Sequence, residues 1–185
     1  MKATVNLPQG WMSKAERRWL ALRGPEINGL AAEVGCWRGR STLALLSRFG
    51  TGHLYAVDTW VGPPDGLGQA HIYEGAGDVY AEFRWNLSPE IRAGAVIPLR
   101  MDSLEGAAEI ARRHGTGCLD LVFIDADHRY DAVCADILSY FPLLRPGGIM
   151  AGHDYSEKFP GVIQAVDELL PDAVKGPGSI WSVVR

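Results

Sequence analysis

"AAEVGCWRGRS", Ala31 to Ser41, is the stretch that decides the fold. An apolar run carries one carboxylate, Glu33, into Gly35; Gly39 follows, and Ser41 then opens the helix-forming run "STLALLSRF". A buried strand that turns through glycines into a helix is the entrance to a βαβ unit. Gly50 and Gly52 stop the helix, and "HLYAVDTW" supplies the second strand. The unit fits in about 30 residues, which implies a parallel pair with a right-handed crossover.

The alternation runs outward from there. Before the loop, "SKAERRWLALRG" reads as a helix with Ser13 and Glu16 as a capping box and Gly24 as its stop. After it come a helix in "DVYAEFRWNL", a third strand in "AVIPLRM" and a helix in "SLEGAAEIARRHG". "LDLVFIDA" is a fourth strand, apolar until Asp125. The next helix carries Tyr130, Val133, Cys134, Ile137, Leu138 and Phe141 at helical spacing and is stopped by "RPGG". "IMAGHD" is a fifth strand, "GVIQAVDELL" a helix, and "SIWSVVR" alternates as a last strand. The pattern predicts an α/β domain over residues 1–185. Its sheet is doubly wound and mostly parallel, with helices on both faces and a C-terminal antiparallel strand. Residues 61–77, "VGPPDGLGQAHIYEGAG", break the rhythm and read as a lid loop, with His71 and Tyr73 available for contacts.

Composition narrows the partners. The formal net charge is −4 and no basic stripe stands out, so nucleic acid is not expected. Three cysteines, Cys36, Cys118 and Cys134, fit neither a zinc pattern nor a disulfide framework. No signal-length apolar run or membrane span is seen, and a cytoplasmic protein without membrane contact is expected. A homo-oligomer stays open.

Ligands of doubly wound sheets bind beyond the carboxyl ends of the strands. Glu33, Gly35, Asp58, Asp102, Asp125, His153 and Asp154 all fall there. A dinucleotide fingerprint would need a glycine where Trp37 stands and another at Arg40, and no Walker run is present. The loop is built for close approach but not for a pyrophosphate. Asp58, at the end of the second strand, suits ribose hydroxyls. Glu33 in an apolar strand needs a partner, and a cationic ligand would offset its burial. Together these residues suggest an adenosine ligand with a positive charge at its other end.

On these motifs the chain resembles the class I S-adenosylmethionine-dependent methyltransferases, whose fold is Rossmann-like. "EVGCWRGRST" resembles their first motif, "LYAVDTW" the second, and "MDSLEGA" the segment after the third strand. "DLVFIDADHRYDAV" and "LLRPGGIMAGHDY" resemble the fourth and fifth strands of a sugar and catechol O-methyltransferase subgroup. The resemblance implies that Glu33, Gly35 and Gly39 surround the methionine part of the cofactor. Asp58 would hold the ribose, Trp60 would flank the adenosine, and Asp102 and Ser103 would lie at the adenine edge. Asp125 would stand between cofactor and acceptor. Asp125, His153 and Asp154 match a metal triad for Mg2+ or Mn2+, with His153 departing from its all-oxygen pattern. His128 matches the general base. The expected activity is methyl transfer to a small hydroxylated metabolite. Two rivals are a nicotinamide-dependent oxidoreductase, which Trp37 opposes, and a non-catalytic nucleoside-ligand-binding protein of the same fold. Local roles compete too: Asp102 with Glu105 makes a capping box, Asp127 can cap a helix, and Tyr130 and Tyr155 can pack.

Overall fold

Ser13 opens the first helix as expected. Its hydroxyl accepts from the Glu16 N–H, and the Glu16 carboxylate accepts from the Ser13 N–H, so both halves of the capping box form at the head of α1 (Lys14–Arg23). The structure, a computed structural model, describes residues 7–48, 52–62 and 77–185. Most of the expected lid, with His71 and Tyr73, lies outside the described residues.

Seven strands form one sheet in the order β3-β2-β1-β4-β5-β7-β6. They are β1 (Leu30–Val34), β2 (His53–Asp58), β3 (Val96–Arg100), β4 (Leu119–Ile124), β5 (Leu144–Gly152), β6 (Val174–Lys175) and β7 (Trp181–Val184). The first five are parallel; β7 runs antiparallel to β5, as expected of the terminal strand. The order reverses between β1 and β4, where Glu33 pairs with Phe123 and Val34 with Ile124. That reversal opens a crevice at the carboxyl edge.

Helices α2 (Arg40–Leu46), α3 (Val79–Asn86), α4 (Ser88–Arg92), α5 (Ser103–His114), α6 (Tyr130–Tyr140) and α7 (Pro160–Leu169) connect the strands. Strand residues alternate between two buried clusters. Ala32, Val34, Val57, Val122 and Ile124 belong to the core shared with α5, α6 and α7. Ala31, Leu54, Leu121 and Phe123 belong to the core shared with α1 and α2. This period of two is what a parallel strand covered on both faces requires.

Two local readings are corrected. "RPGG" does not end a helix. Helix α6 stops at Tyr140, a 3-10 turn follows over Phe141–Leu143, and "RPGG" lies inside β5. Pro142 has no N–H to continue the helical ladder. Leu119 pairs with Leu144 but Leu121 with Ile149, so the proline and glycines form a bulge beside β4. Leu138, placed on the apolar stripe, is 61% exposed; Tyr140 is buried on that helix instead. The short α4 and β6 had no sequence signal long enough to predict them.

Candidate active site

At the switch point, backbone meets backbone. Asp125 N–H donates to the Val34 carbonyl and Gly35 N–H to the Val57 carbonyl. Gly35 has φ 86°, and a Cβ there would sit 2.1 Å from the Asp125 carbonyl oxygen. Only glycine permits this approach without strain. Gly39 is also left-handed, at φ 87°, with the Leu87 side chain 2.3 Å from where its Cβ would stand.

Asp58 braces the loop. Its Oδ2 accepts from the N–H groups of Cys36 (2.9 Å) and Trp37 (2.8 Å), and its Oδ1 from that of Trp60 (2.7 Å). Burial raises the Asp58 carboxyl above its ordinary value, and these N–H groups oppose the rise. Trp60 is only 3% exposed, donates from its indole to the Trp37 carbonyl at 2.8 Å, and packs on Tyr80 and Phe83. It supports the loop from beneath. Asp102 caps α5 through a capping box with Glu105. Met101 N–H donates to the Asp58 carbonyl, so Asp102 and Ser103 stand beside the end of β2.

Glu33 is fully buried, and among the described residues neither carboxylate oxygen has a partner at good hydrogen-bond geometry, the Ser41 and Thr42 hydroxyls standing close by. Burial pushes its pKa up to about 7, against the nearby Ser41 and Thr42 hydroxyls. In an unfolded chain it would ionise near about 4.3. Folding therefore takes up a proton between those values. The associated stability is present below about pH 4 and lost as pH rises towards about 7, roughly 3 kcal/mol in all. We expect Glu33→Gln to raise the unfolding temperature of the ligand-free protein at pH 8 and to flatten its decline between pH 5 and 8. Identical melting-temperature profiles for the two proteins would refute this.

Histidines and carboxylates gather at the ends of β4 and β5. His128 Nε2 lies 2.7 Å from Asp154 Oδ2, and the ring stacks against Phe159. Two histidine contacts hold the Asp154 carboxyl far below its ordinary range despite burial. Asp154 has φ 60°, left-handed, which aspartate tolerates better than most residues. His153 is bracketed by carboxylates. Its Nε2 is 3.1 Å from Glu16 Oε1, and its Nδ1 is 3.3 Å from Asp154 Oδ1 and 3.6 Å from Asp125 Oδ1. Burial disfavours the charged ring, yet Asp125 and Asp154 outweigh it and push the pKa up to about 11. Among the described residues, the ligand atoms that converge within 4.8 Å are those of Asp125, His128 and Asp154. His153, expected in that set, instead lies between Asp125, Asp154 and Glu16.

The competing local roles are also visible. Asp127 accepts from the Arg129 N–H and pairs with its guanidinium. Tyr130 and Tyr155 donate to Glu168 and Asp167. The residue that sequence reasoning missed is Glu16. Its capping box accounts for it locally, and no spacing links it to His153.

A family model described as a methyltransferase domain matches residues 32–155. No curated protein sequence matches the chain. Among solved structures, the calicheamicin methyltransferase CalS11 is 18% identical over 91% of this chain and 76% of its own, with a TM-score of 0.71. An O-methyltransferase from Bacillus cereus in complex with SAH is 18% identical, over 99% of this chain and 86% of its own, at 0.68. The O-methyltransferase NovP is 17% identical over 91% and 77%, at 0.63. These likenesses extend the Rossmann-like fold over nearly the whole chain. The family match runs from β1 through the glycine loop and Asp58 to Asp154: the chain belongs to the methyltransferase-domain family.

Proposed function

We propose that this enzyme transfers the methyl group of S-adenosylmethionine to a hydroxyl of a small acceptor. The observation that carries the reading is Glu33: a buried carboxylate with no cationic partner among the described residues, beside a glycine loop, suits a ligand that brings positive charge. The solved relatives agree in chemistry. One is crystallised with SAH, and CalS11 is a TDP-rhamnose 3'-O-methyltransferase. The loop also opposes a dinucleotide. Trp37, at φ 42°, is stacked by Trp11 and Arg38 where a pyrophosphate would need bare backbone.

The sulfonium is already a good methyl donor. The protein has to align donor and acceptor in line and take a proton from the acceptor hydroxyl. Asp58 and the glycine loop hold the nucleoside end, with Asp102 and Ser103 beside the adenine. Asp125, whose N–H donates to the Val34 carbonyl and whose own carbonyl packs on Gly35, sets the distance between the two halves. His128 takes the proton, and Asp154, 2.7 Å from its Nε2, orients the ring and stabilises its charged form. As a second reading, Asp125, His128 and Asp154 could instead hold a divalent cation, which would make the acceptor hydroxyl more acidic in place of His128 acting as base. One nitrogen among oxygens suits manganese as well as magnesium.

Calorimetric titration with SAH tests the reading. Asp58→Ala should weaken binding by roughly 1.5–3 kcal/mol, the scale of lost charge-assisted hydrogen bonds. NAD should give no binding heat. Unchanged SAH affinity in the variant would remove Asp58 from the cofactor site, and tight NAD binding would favour the oxidoreductase. Methyl transfer to a panel of phenols and sugars separates an enzyme from a binding protein.

A further inference from the structure

Glu16 belongs to the N-terminal helix, far from the strand ends in sequence, yet its carboxylate reaches the acceptor side. The residue is only 5% exposed. Its Oε2 accepts from the Ser13 N–H at 2.6 Å. Its Oε1 faces His153 Nε2 at 3.1 Å, the Ser179 N–H at 3.0 Å and the Ser179 hydroxyl at 3.4 Å. Room for this has been made on the opposite loop. A Cβ on Gly178 would lie 2.1 Å from Glu16 Oε1, and Gly178 has φ 63°. A helix cap alone would need neither the glycine nor the histidine.

We propose that Glu16 is a positioning residue of the active site: it fixes the His153 imidazole in the gap between Asp125 and Asp154, and so sets the carboxylate that orients His128. His153 Nε2 turned to Glu16 directs Nδ1 at both aspartates. Asp154 then receives His153 on Oδ1 and His128 on Oδ2. The chain of contacts runs from α1 to the proton acceptor without a gap. It needs a carboxylate at residue 16, because backbone or ring donors face both of its oxygens. An amide there must turn its NH2 group onto a donor at one end or the other.

The role of His128 in this inference rests on the methyl-transfer reading; the placement of His153 does not. The test is therefore a crystal structure of the full chain carrying Glu16→Gln beside the wild type, with turnover measured on whichever phenol or sugar the panel identifies. The His153 ring should leave the gap between Asp125 and Asp154, and the His128–Asp154 contact should lengthen. Turnover should fall about tenfold to a hundredfold, the effect of small misplacements, with SAH affinity unchanged. In a His153→Asn background, Glu16→Gln should have no further effect on kcat. Ser13→Ala, which removes half of the capping box, should lower the unfolding temperature and leave both the ring and kcat as they are. An unmoved His153 ring in Glu16→Gln overturns the proposal, as does a full additional loss of kcat without His153. If the wild type methylates nothing in the panel, the methyl-transfer reading is what fails, and the crystal structures still decide Glu16.

Discussion

Gly35→Ala is expected to lower the unfolding temperature by roughly 4–20 °C and to leave no measurable SAH binding. The added Cβ would stand 2.1 Å from the Asp125 carbonyl oxygen and 2.8 Å from the Ala126 Cα, both backbone atoms that cannot swing aside. The left-handed φ of 86° adds about 1–2 kcal/mol for any residue with a Cβ. Separating β1 from β4 to relieve the clash adds about 1–3 kcal/mol more. For a domain of this size each kcal/mol moves the midpoint by about 2–4 °C. The same displacement pulls the glycine loop from the Asp125 backbone. Thermal unfolding followed by circular dichroism, with SAH titration on the folded fraction, measures both effects. A variant with the wild-type midpoint and affinity would show that the two strands part easily here.

The largest catalytic effect is expected at His128. His128→Gln should reduce turnover by about 10²–10⁴-fold, the usual worth of general-base assistance. SAH affinity should hardly change, because the imidazole is held by Asp154 and Phe159 beyond the end of β4. Assays in a strong chelator distinguish two ways of removing the proton. Wild-type turnover that survives chelation assigns the step to His128 as base. Turnover lost to the chelator and restored by Mn2+ or Mg2+ assigns the residue to ligation with Asp125 and Asp154. Wild-type turnover in the variant would leave His128 a packing residue against Phe159.

The features legible in the sequence were those fixed by local chemistry or strict periodicity. The capping box of Ser13 and Glu16 is a four-residue event, and it forms as read. The strand ends showed themselves because an apolar run closes on a carboxylate, at Glu33, Asp58 and Asp125, where a buried strand runs out into a polar crevice. Ring direction was not legible. Sequence spacing puts His153 and Asp154 at the end of β5, but the left-handed turn at Asp154 and the pull of Glu16 decide which way each side chain faces. The direction of the Trp60 indole was equally hidden: its positive φ turns the ring N–H to the Trp37 carbonyl. "RPGG" misled for a related reason. Proline and glycine punctuate helices and bulges alike, and only the pairing of Leu119 and Leu121 tells them apart here.

The placement of β1 between β2 and β4 also dictates when the site can exist during synthesis. Leu30 finds His53 early on one side but must await Leu119 on the other. At about 5–20 residues per second, a ribosome needs several seconds to deliver that second partner. Throughout that interval the nascent chain shows an open β1 edge, and open edges invite pairing with other chains. The strand so exposed is the one that carries Glu33 into the glycine loop. His153 and Ser179, the partners of Glu16, emerge later still. The first helix made is thus among the last elements to reach its final contacts.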